Sequence, residues 1–368
     1  MIRPTHPCSS GECQITRFTI SAQVFSPGQG GIARVARLTL KALESDFDVR
    51  GLAVEDRHSC LVSKTRTRPF SGNRWRFLLA NNFEILSGRK IFYDFAGTAR
   101  AHQPGLGGFK TRYGVWIHGV EAWNLPTVRR RAAYARTVRG ADLILANSHY
   151  TLARAQEALG PLPQAAVCWL GTEDDDEICS IDLTKKEPTL MFVGRSDDLA
   201  KGQDILINIW PDVVSEVPNA RLVFVGGGIQ LKKLQELAGV SPAADKIEVL
   251  GFVSDAQIEA IWRRATAFAM LGSLEGFGLV FVEAMRHGLP IIASTNDASH
   301  EINVDGLTGW NVARTDRNEI IEKIALVLKD RDRACAFGRA ALNRWREHFR
   351  FSVFEKRFNA AVFSWLGD

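Results

Sequence analysis

Residues 273–288 read SLEGFGLVFVEAMRHG. They set Glu275 at the mouth of a glycine-flanked turn and Glu283, eight residues on, inside an apolar run. ATAFAML (265–271), just before, has the make-up of a buried strand, and Leu279, Val280, Val282, Ala284 and Met285 supply the apolar side of a helix. Between strand and helix, Gly276, Phe277, Gly278 and Leu279 would present backbone amides to an anion, with the helix dipole behind them. Glu283 falls in the second helical turn, where a carboxylate can accept both hydroxyls of a ribose. Glu275, ahead of the helix, can reach a sugar held just beyond the phosphates. Lone carboxylates are rarely buried unpaired, so a pure core role for either acid is disfavoured.

The same alternation extends in both directions. TLMFVG (189–194), RLVFVGGG (221–228), KIEVLGF (246–252) and LPIIAS (289–294) read as strands, with helices expected from Gln203, Ile229, Asp255 and Phe277. In the first half RFTISAQVF (17–25), FDVRGLAV (47–54), KIFYDF (90–95), YGVWIHG (113–119) and ADLILANS (141–148) repeat the pattern, and GGIARVARLTLKAL (30–43) has helical apolar spacing. This is the signature of parallel sheets covered by helices. An acidic, polar stretch, GTEDDDEICSIDLTKKEP (171–188), breaks it. Two Rossmann-like domains follow, 1–172 and 173–368, with ligands expected at the carboxyl ends of the strands in the cleft between them.

Two more turns carry chemistry. GRSDDLAKGQD (194–204) puts Arg195 just beyond a strand and Lys201 six residues later, before a helix. Two cations there suit a diphosphate, Arg gripping two oxygens and Lys adding a point charge; the alternative is surface pairing with Asp197 and Asp198. SPGQGGIARVA (26–36) holds Gly28, Gly30 and Ala33 in G-x-G-x-x-A spacing, with Asp48 twenty residues beyond Gly28. That spacing is the weak mark of a dinucleotide site, and Pro27 and Gly31 loosen it. Under either reading the glycines let backbone amides approach a phosphate or a sugar. The triple glycine 226–228 reads as a second such turn or as a plain strand-to-helix connection.

A chain of 368 residues, 46% hydrophobic and 24% charged, is that of a soluble two-domain protein. No run of about 18 uncharged apolar residues exists, and MIRPTHPCSSGECQ lacks a signal-peptide core, so a cytoplasmic location is expected. The net charge of +5 is unevenly spread: through Leu170 there are 23 Lys/Arg against 11 Asp/Glu, or +12, and beyond it 23 against 30, or −7. Arg74 and Arg76, then Arg129, Arg130, Arg131, Arg136 and Arg139 on a helix expected from near Pro126, suit an anionic membrane face or an anionic acceptor; a solvated helix face is the alternative. No nucleic-acid motif accompanies them. Six cysteines form no CxxC pair, and Cys8 and Cys13, with His6 nearby, read as a reduced N-terminal arm rather than a zinc or disulfide site. Asp174, Asp175 and Asp176 satisfy a metal-binding D-x-D pattern but sit in the acidic break and read as solvated charge.

Taken together these motifs resemble glycosyltransferase family 4. EGFGLVFVE (275–283) is similar to the E-x7-E motif of retaining glycosyltransferases, and GRSDDLAKG resembles that family's diphosphate-binding turn. GQGGIARVA resembles its N-terminal glycine loop, WIHG its active-site histidine segment, ADLILANSHYT the start of the last helix of the first domain, and VDGLTGW its late D-G-x-x-G turn. The resemblance implies the α/β GT-B fold, with two Rossmann-like domains facing across a cleft and the last helix, about 350–366, crossing back to the first domain. It implies that Arg195 and Lys201 bind the donor diphosphate, Glu283 holds the ribose and Glu275 contacts the donor sugar. His118 would sit near that sugar, and Gly30 and Gly31 would allow close approach at the phosphate. Glu121 and Trp123 are candidate acceptor contacts. The implied reaction moves a hexose, such as mannose or glucose, from a UDP- or GDP-linked donor to a hydroxyl of a saccharide or lipid-linked saccharide, with retention and with neither metal nor cofactor. The implied setting is cell-envelope or exported-polysaccharide synthesis, peripheral on the inner membrane face. WLGTEDDDE (169–177) departs from the family's usual turn near Gly171. Two other readings stand beside this one: a nicotinamide-dependent oxidoreductase using Gly28, Gly30 and Ala33, and a non-catalytic sugar-nucleotide-binding protein.

Overall fold

The computed structural model describes residues 16–102, 111–121, 128–173, 183, 186–197 and 200–367, with the backbone alone at 128–131. Cys8, Cys13, Trp123, Asp174 to Asp176 and Asp198 lie outside the described residues.

Among the described residues the first half contains β1 (Arg17–Ala22), β2 (Asp48–Ala53), β3 (Leu61–Val62), β4 (Thr65–Arg66), β5 (Arg68–Pro69), β6 (Lys90–Tyr93), β7 (Tyr113–Ile117), β8 (Leu143–Ala146) and β9 (Ala165–Val167). Its helices are α1 (Gly31–Leu43), α2 (Arg74–Leu86), α3 (Val128–Arg139) and α4 (His149–Leu159). A seven-stranded sheet runs in the order β5-β2-β1-β6-β7-β8-β9, parallel from β5 through β7, while β3 and β4 make a small antiparallel pair.

The second half contains β10 (Thr189–Val193), β11 (Arg221–Val225), β12 (Ile247–Val249), β13 (Ala267–Met270), β14 (Ile291–Ser294) and β15 (Gly309–Val312). They form an all-parallel sheet in the order β12-β11-β10-β13-β14-β15. Its helices are α5 (Gln203–Glu216), α6 (Leu231–Gly239), α7 (Asp255–Arg264), α8 (Leu279–Arg286), α9 (Ser299–Ile302), α10 (Arg317–Lys329), α11 (Arg331–His348) and α12 (Phe351–Gly367). Parallel strands covered on both faces must be apolar throughout, and Leu190, Met191, Phe192, Phe268, Ala269, Ile291 and Ile292 are all buried. The helices expected from Ile229 and Phe277 start two residues later, at Leu231 and Leu279, because the preceding residues are spent in the turns that leave β11 and β13.

The described residues fall into two compact units, one within Met1–Trp116, Ala132–Ile144 and Phe358–Asp368, the other within Ile117–Arg131 and Leu145–Arg357. The second unit therefore takes in the end of β7, the end of β8 and α4 as well as the whole second sheet.

Candidate active site

In the second sheet the chain steps outward from β10 through β11 to β12, then returns to the other side of β10 as β13. Connections leaving the carboxyl ends of β10 and β13 thus diverge, and such a switch point opens a crevice. Residues 194–201 follow β10 and residues 271–278 follow β13, so the cationic turn and the EGFG turn meet there. Leu271 N donates to Lys201 O (3.1 Å), which ties the two turns together. Lys201 Nζ reaches Glu275 Oε2 at 2.9 Å, with the side chains 35% and 20% exposed.

Arg195 is held from behind. Gln203, fully buried at the start of α5, donates from Nε2 to Arg195 O (3.2 Å). Ser196 N donates to Gly227 O (2.9 Å) and accepts at its own carbonyl from Gln230 N (2.7 Å). A Cβ at Gly226 would stand 2.1 Å from Gly194 O, so the triple glycine is a seat in which one backbone rests on another. The Arg195 guanidinium is exposed and pairs with Asp197, whose Oδ1 also accepts from Ile229 N (3.3 Å).

The EGFG turn is gripped from three directions within the same unit. Gly276 O accepts from Ser148 Oγ (2.6 Å) and Thr151 Oγ1 (2.9 Å) at the start of α4, where Ser148 also caps the helix through Thr151 N (2.9 Å). A Cβ at Gly276 would lie 2.1 Å from His118 O, so only glycine fits against the end of β7. Glu275 N donates to Asp297 Oδ2 (3.3 Å) beyond β14, and Ala298 N donates to Glu275 O (3.0 Å). Asp297 is fully buried, and burial pushes its carboxyl above the usual range against the hydrogen bonds from Ser299. Phe277 is buried edge-on to Phe349. Gly278 caps α8 in the left-handed region, and Phe281 N makes the helix's first backbone bond to Gly278 O (2.9 Å). Leu279, Val280 and Glu283 are half-buried and share one helix face, one turn apart.

His118 follows β7 and is nearly buried. Its backbone N and that of Gly119 both donate to Glu121 Oε2 at 3.0 Å, and Glu121 is fully buried. That carboxylate fixes the turn carrying His118. Gly30 and Gly31 lie in the other unit, exposed where the loop after β1 enters α1, Gly30 as its N-cap and Gly31 as its first residue. Asp48 opens β2 rather than closing it, and the Arg89 guanidinium (2.7 Å) holds its carboxyl below the usual range. It therefore does not stand at the carboxyl end of the sheet, where a dinucleotide ribose would need it.

Three participants, Asp297, Ser148 and Glu301, carry no signal in the sequence pattern, and a fourth, Phe252, carries a slight one. Glu301 accepts from the first amides of α4, His149 N (2.9 Å) and Tyr150 N (2.5 Å), and from Trp169 Nε1 (3.3 Å), so a carboxylate meets the positive end of that helix. Phe252 is 78% exposed beyond β12, its ring over Gly227 on the seat that supports Arg195. The sequence signal available for it was an aromatic residue directly after a strand, in GFVS.

Residues 174–344 match the model of the family of glycosyl transferases group 1. A GDP-mannose-dependent alpha-(1-6)-phosphatidylinositol monomannoside mannosyltransferase of Mycobacterium tuberculosis is 32% identical over 245 residues, 62% of this chain and 63% of that protein. A phosphatidyl-myo-inositol mannosyltransferase of Mycobacterium leprae is 32% identical over 162 residues, 43% of this chain and 42% of that protein. The chain thus spans less than two thirds of the length of these relatives. Among solved structures, Anabaena HepE in complex with UDP and glucose matches with a TM-score of 0.79 at 15% identity, covering 95% of this chain and 100% of that one. Sucrose-phosphate synthase of Thermosynechococcus elongatus matches with a TM-score of 0.77 at 18% identity, covering 96% and 99%. At such identities the likeness is one of fold, and the fold is GT-B.

Proposed function

We propose that this chain, whose residues 174–344 match the group 1 glycosyl transferase model, moves a hexose from a nucleoside-diphosphate sugar to a hydroxyl of a saccharide or lipid-linked saccharide. The observation that carries the reading is the Lys201–Glu275 contact at the switch point of the second sheet, one charge suited to a diphosphate and the other to sugar hydroxyls. Arg195 grips two phosphate oxygens, Lys201 turns from Glu275 to the diphosphate, and the Leu279 and Val280 amides add the dipole of α8. Glu283, on the same helix face, takes the ribose hydroxyls, and the exposed ring of Phe252 offers the base an apolar surface. Glu275 then contacts the donor sugar, with His118 beside it. The bond from the anomeric carbon to the phosphate oxygen breaks, the acceptor oxygen bonds to that carbon from the same side, and its proton goes to the departing diphosphate. The cations and amides act most strongly on the charge that develops there, which is how they lower the barrier without a metal.

The donor named for the mycobacterial relative makes GDP-mannose the first to test, with UDP-glucose beside it. The lipid acceptors in those relatives' names support a lipid-borne acceptor, and with it work at a membrane surface. No helix among the described residues is long and apolar enough to cross one. The test is a thermal-shift panel of UDP, GDP, ADP and NAD followed by turnover of the sugar nucleotide whose diphosphate stabilises most, since a ligand that binds only the native state raises Tm. Stabilisation by NAD alone, or turnover unchanged in both Glu275→Ala and Lys201→Ala, refutes the assignment. The anomeric configuration of the product, read by NMR, tests retention.

A further inference from the structure

α2 is apolar on two faces, one packed inward and one left outward. Its outward residues Trp75, Leu79, Phe83 and Leu86 are 77%, 68%, 65% and 67% exposed, and at steps of four, four and three they form one apolar ridge along a helix about 20 Å long. The inward face buries Phe77, Ala80 and Ile85 and carries two polar residues beside them. Asn81 accepts from Ser21, and Glu84 takes Thr19 (3.3 Å), Arg50 (3.3 Å) and Arg89 (3.4 Å), so both are satisfied inside the first unit. Cations flank the ridge: Arg74 and Arg76 are exposed at its start, and Arg17 reaches Ser87 O (2.5 Å) at its end. Glu84, the helix's one acid, points inward, so no carboxylate of α2 faces outward with the ridge.

We infer that α2 docks the protein on the surface of a bilayer containing anionic lipid, with the four apolar side chains at the level of the upper acyl chains and Arg74, Arg76 and Arg17 among the headgroup phosphates. An apolar ridge of this length flanked by cations is what an in-plane membrane helix presents, and a soluble partner matched to it would need acidic groups at both ends of an apolar groove. Trp75, at the end where Arg74 and Arg76 lie, suits the interfacial layer. The inference deepens the reading of a lipid-borne acceptor and names the surface that would meet it, but docking and transfer can fail separately.

The test is co-sedimentation of the full chain with phosphatidylcholine vesicles, with and without phosphatidylglycerol, in Leu79→Ser/Phe83→Ser and Arg74→Gln/Arg76→Gln. The wild type binds the anionic vesicles, the first variant binds them about ten-fold or more weakly, and the second loses the preference for anionic over neutral vesicles and its salt dependence. Circular dichroism and nucleoside-diphosphate binding stay unchanged in both, which separates lost docking from lost folding. Absence of wild-type binding, binding unchanged in the first variant, or a dimer in sedimentation velocity that the first variant dissociates overturns the inference, the last result assigning the ridge to a second copy.

Discussion

Lys201 and Glu275 hold each other at 2.9 Å, and this makes removal of the two partners opposite in sign for diphosphate binding. Lys201→Ala deletes a cation and a hydrogen bond to a charged group, worth about 1.5–3 kcal/mol, so the Kd of a nucleoside diphosphate rises roughly 10- to 150-fold. Glu275→Gln keeps the shape of the side chain but removes a negative charge from beside the phosphates. Two like charges roughly 7 Å apart at an effective dielectric of about 40 repel by about 1 kcal/mol, so the same ligand binds about five-fold more tightly. Transfer from the nucleotide sugar falls in both variants, because one has lost leaving-group stabilisation and the other its contact with the donor sugar. Folding changes less: at 35% and 20% exposure the pair is partly screened, and its loss costs about 1 kcal/mol. Calorimetric titration with UDP and GDP, beside turnover and thermal unfolding of each variant, reads all three quantities. Equal weakening of diphosphate binding by Glu275→Gln and Lys201→Ala would refute the exchange of Lys201 between carboxylate and phosphate.

Gly276→Ala places a methyl 2.1 Å from His118 O and 3.1 Å from Thr151 Oγ1, and the backbone oxygen cannot swing aside. It should lower stability by about 1–3 kcal/mol in differential scanning calorimetry and loosen the turn that carries Glu275; an unchanged Tm contradicts the packing. Phe252→Ala removes an exposed ring, so stability stays within about 0.5 kcal/mol while nucleoside-diphosphate affinity drops by about 0.5–1.5 kcal/mol. Equal affinity in that variant removes Phe252 from the site. Asp297→Asn tests a pH effect: because burial raises the Asp297 pKa in the folded state, the fold binds this proton more readily than the unfolded chain does. Wild-type stability measured against the variant should therefore rise as pH falls through that raised value toward the ordinary carboxylate range, and denaturant unfolding at a series of pH values showing no such trend would refute it.

The order of elements is legible in the sequence because parallel strands covered on both faces read as unbroken apolar runs, and TLMFV, RLVFV and AFAM all proved to be strands. The two charged turns are legible for a related reason, since polar residues directly after such runs fall at a strand's carboxyl end. RWRFLLANNFEIL is different. Its apolar residues occupy most of the helix circumference, so periodicity alone does not say which face turns inward; Ser21, Thr19 and Arg89, brought from β1 and from beyond the helix, decide it by satisfying Asn81 and Glu84. Asp297, Ser148 and Glu301 are hidden in the same way. Each is a single polar residue whose partner lies on another element, so its role exists only once the sheet has formed.

Those hidden residues matter because of what they do to Glu275. A side chain on a glycine turn would ordinarily sample many positions, since glycine loses the most freedom on folding. Here the turn is fixed by His118 O against Gly276, by Ser148 and Thr151 on the Gly276 carbonyl, and by Asp297 on the Glu275 amide. Preorganised charge lowers a barrier because it need not reorganise as the reaction proceeds, so in the proposed reaction these contacts would act on turnover through Glu275 without touching the donor. Ser148→Ala should then reduce kcat more than it weakens nucleoside-diphosphate binding, because Glu283 and the amides of Leu279 and Val280 ride on α8 and not on the carbonyl that Ser148 holds. Steady-state kinetics beside calorimetric binding measures both, and a loss confined to affinity would show that the grip on Gly276 supports the phosphate site instead of the sugar site.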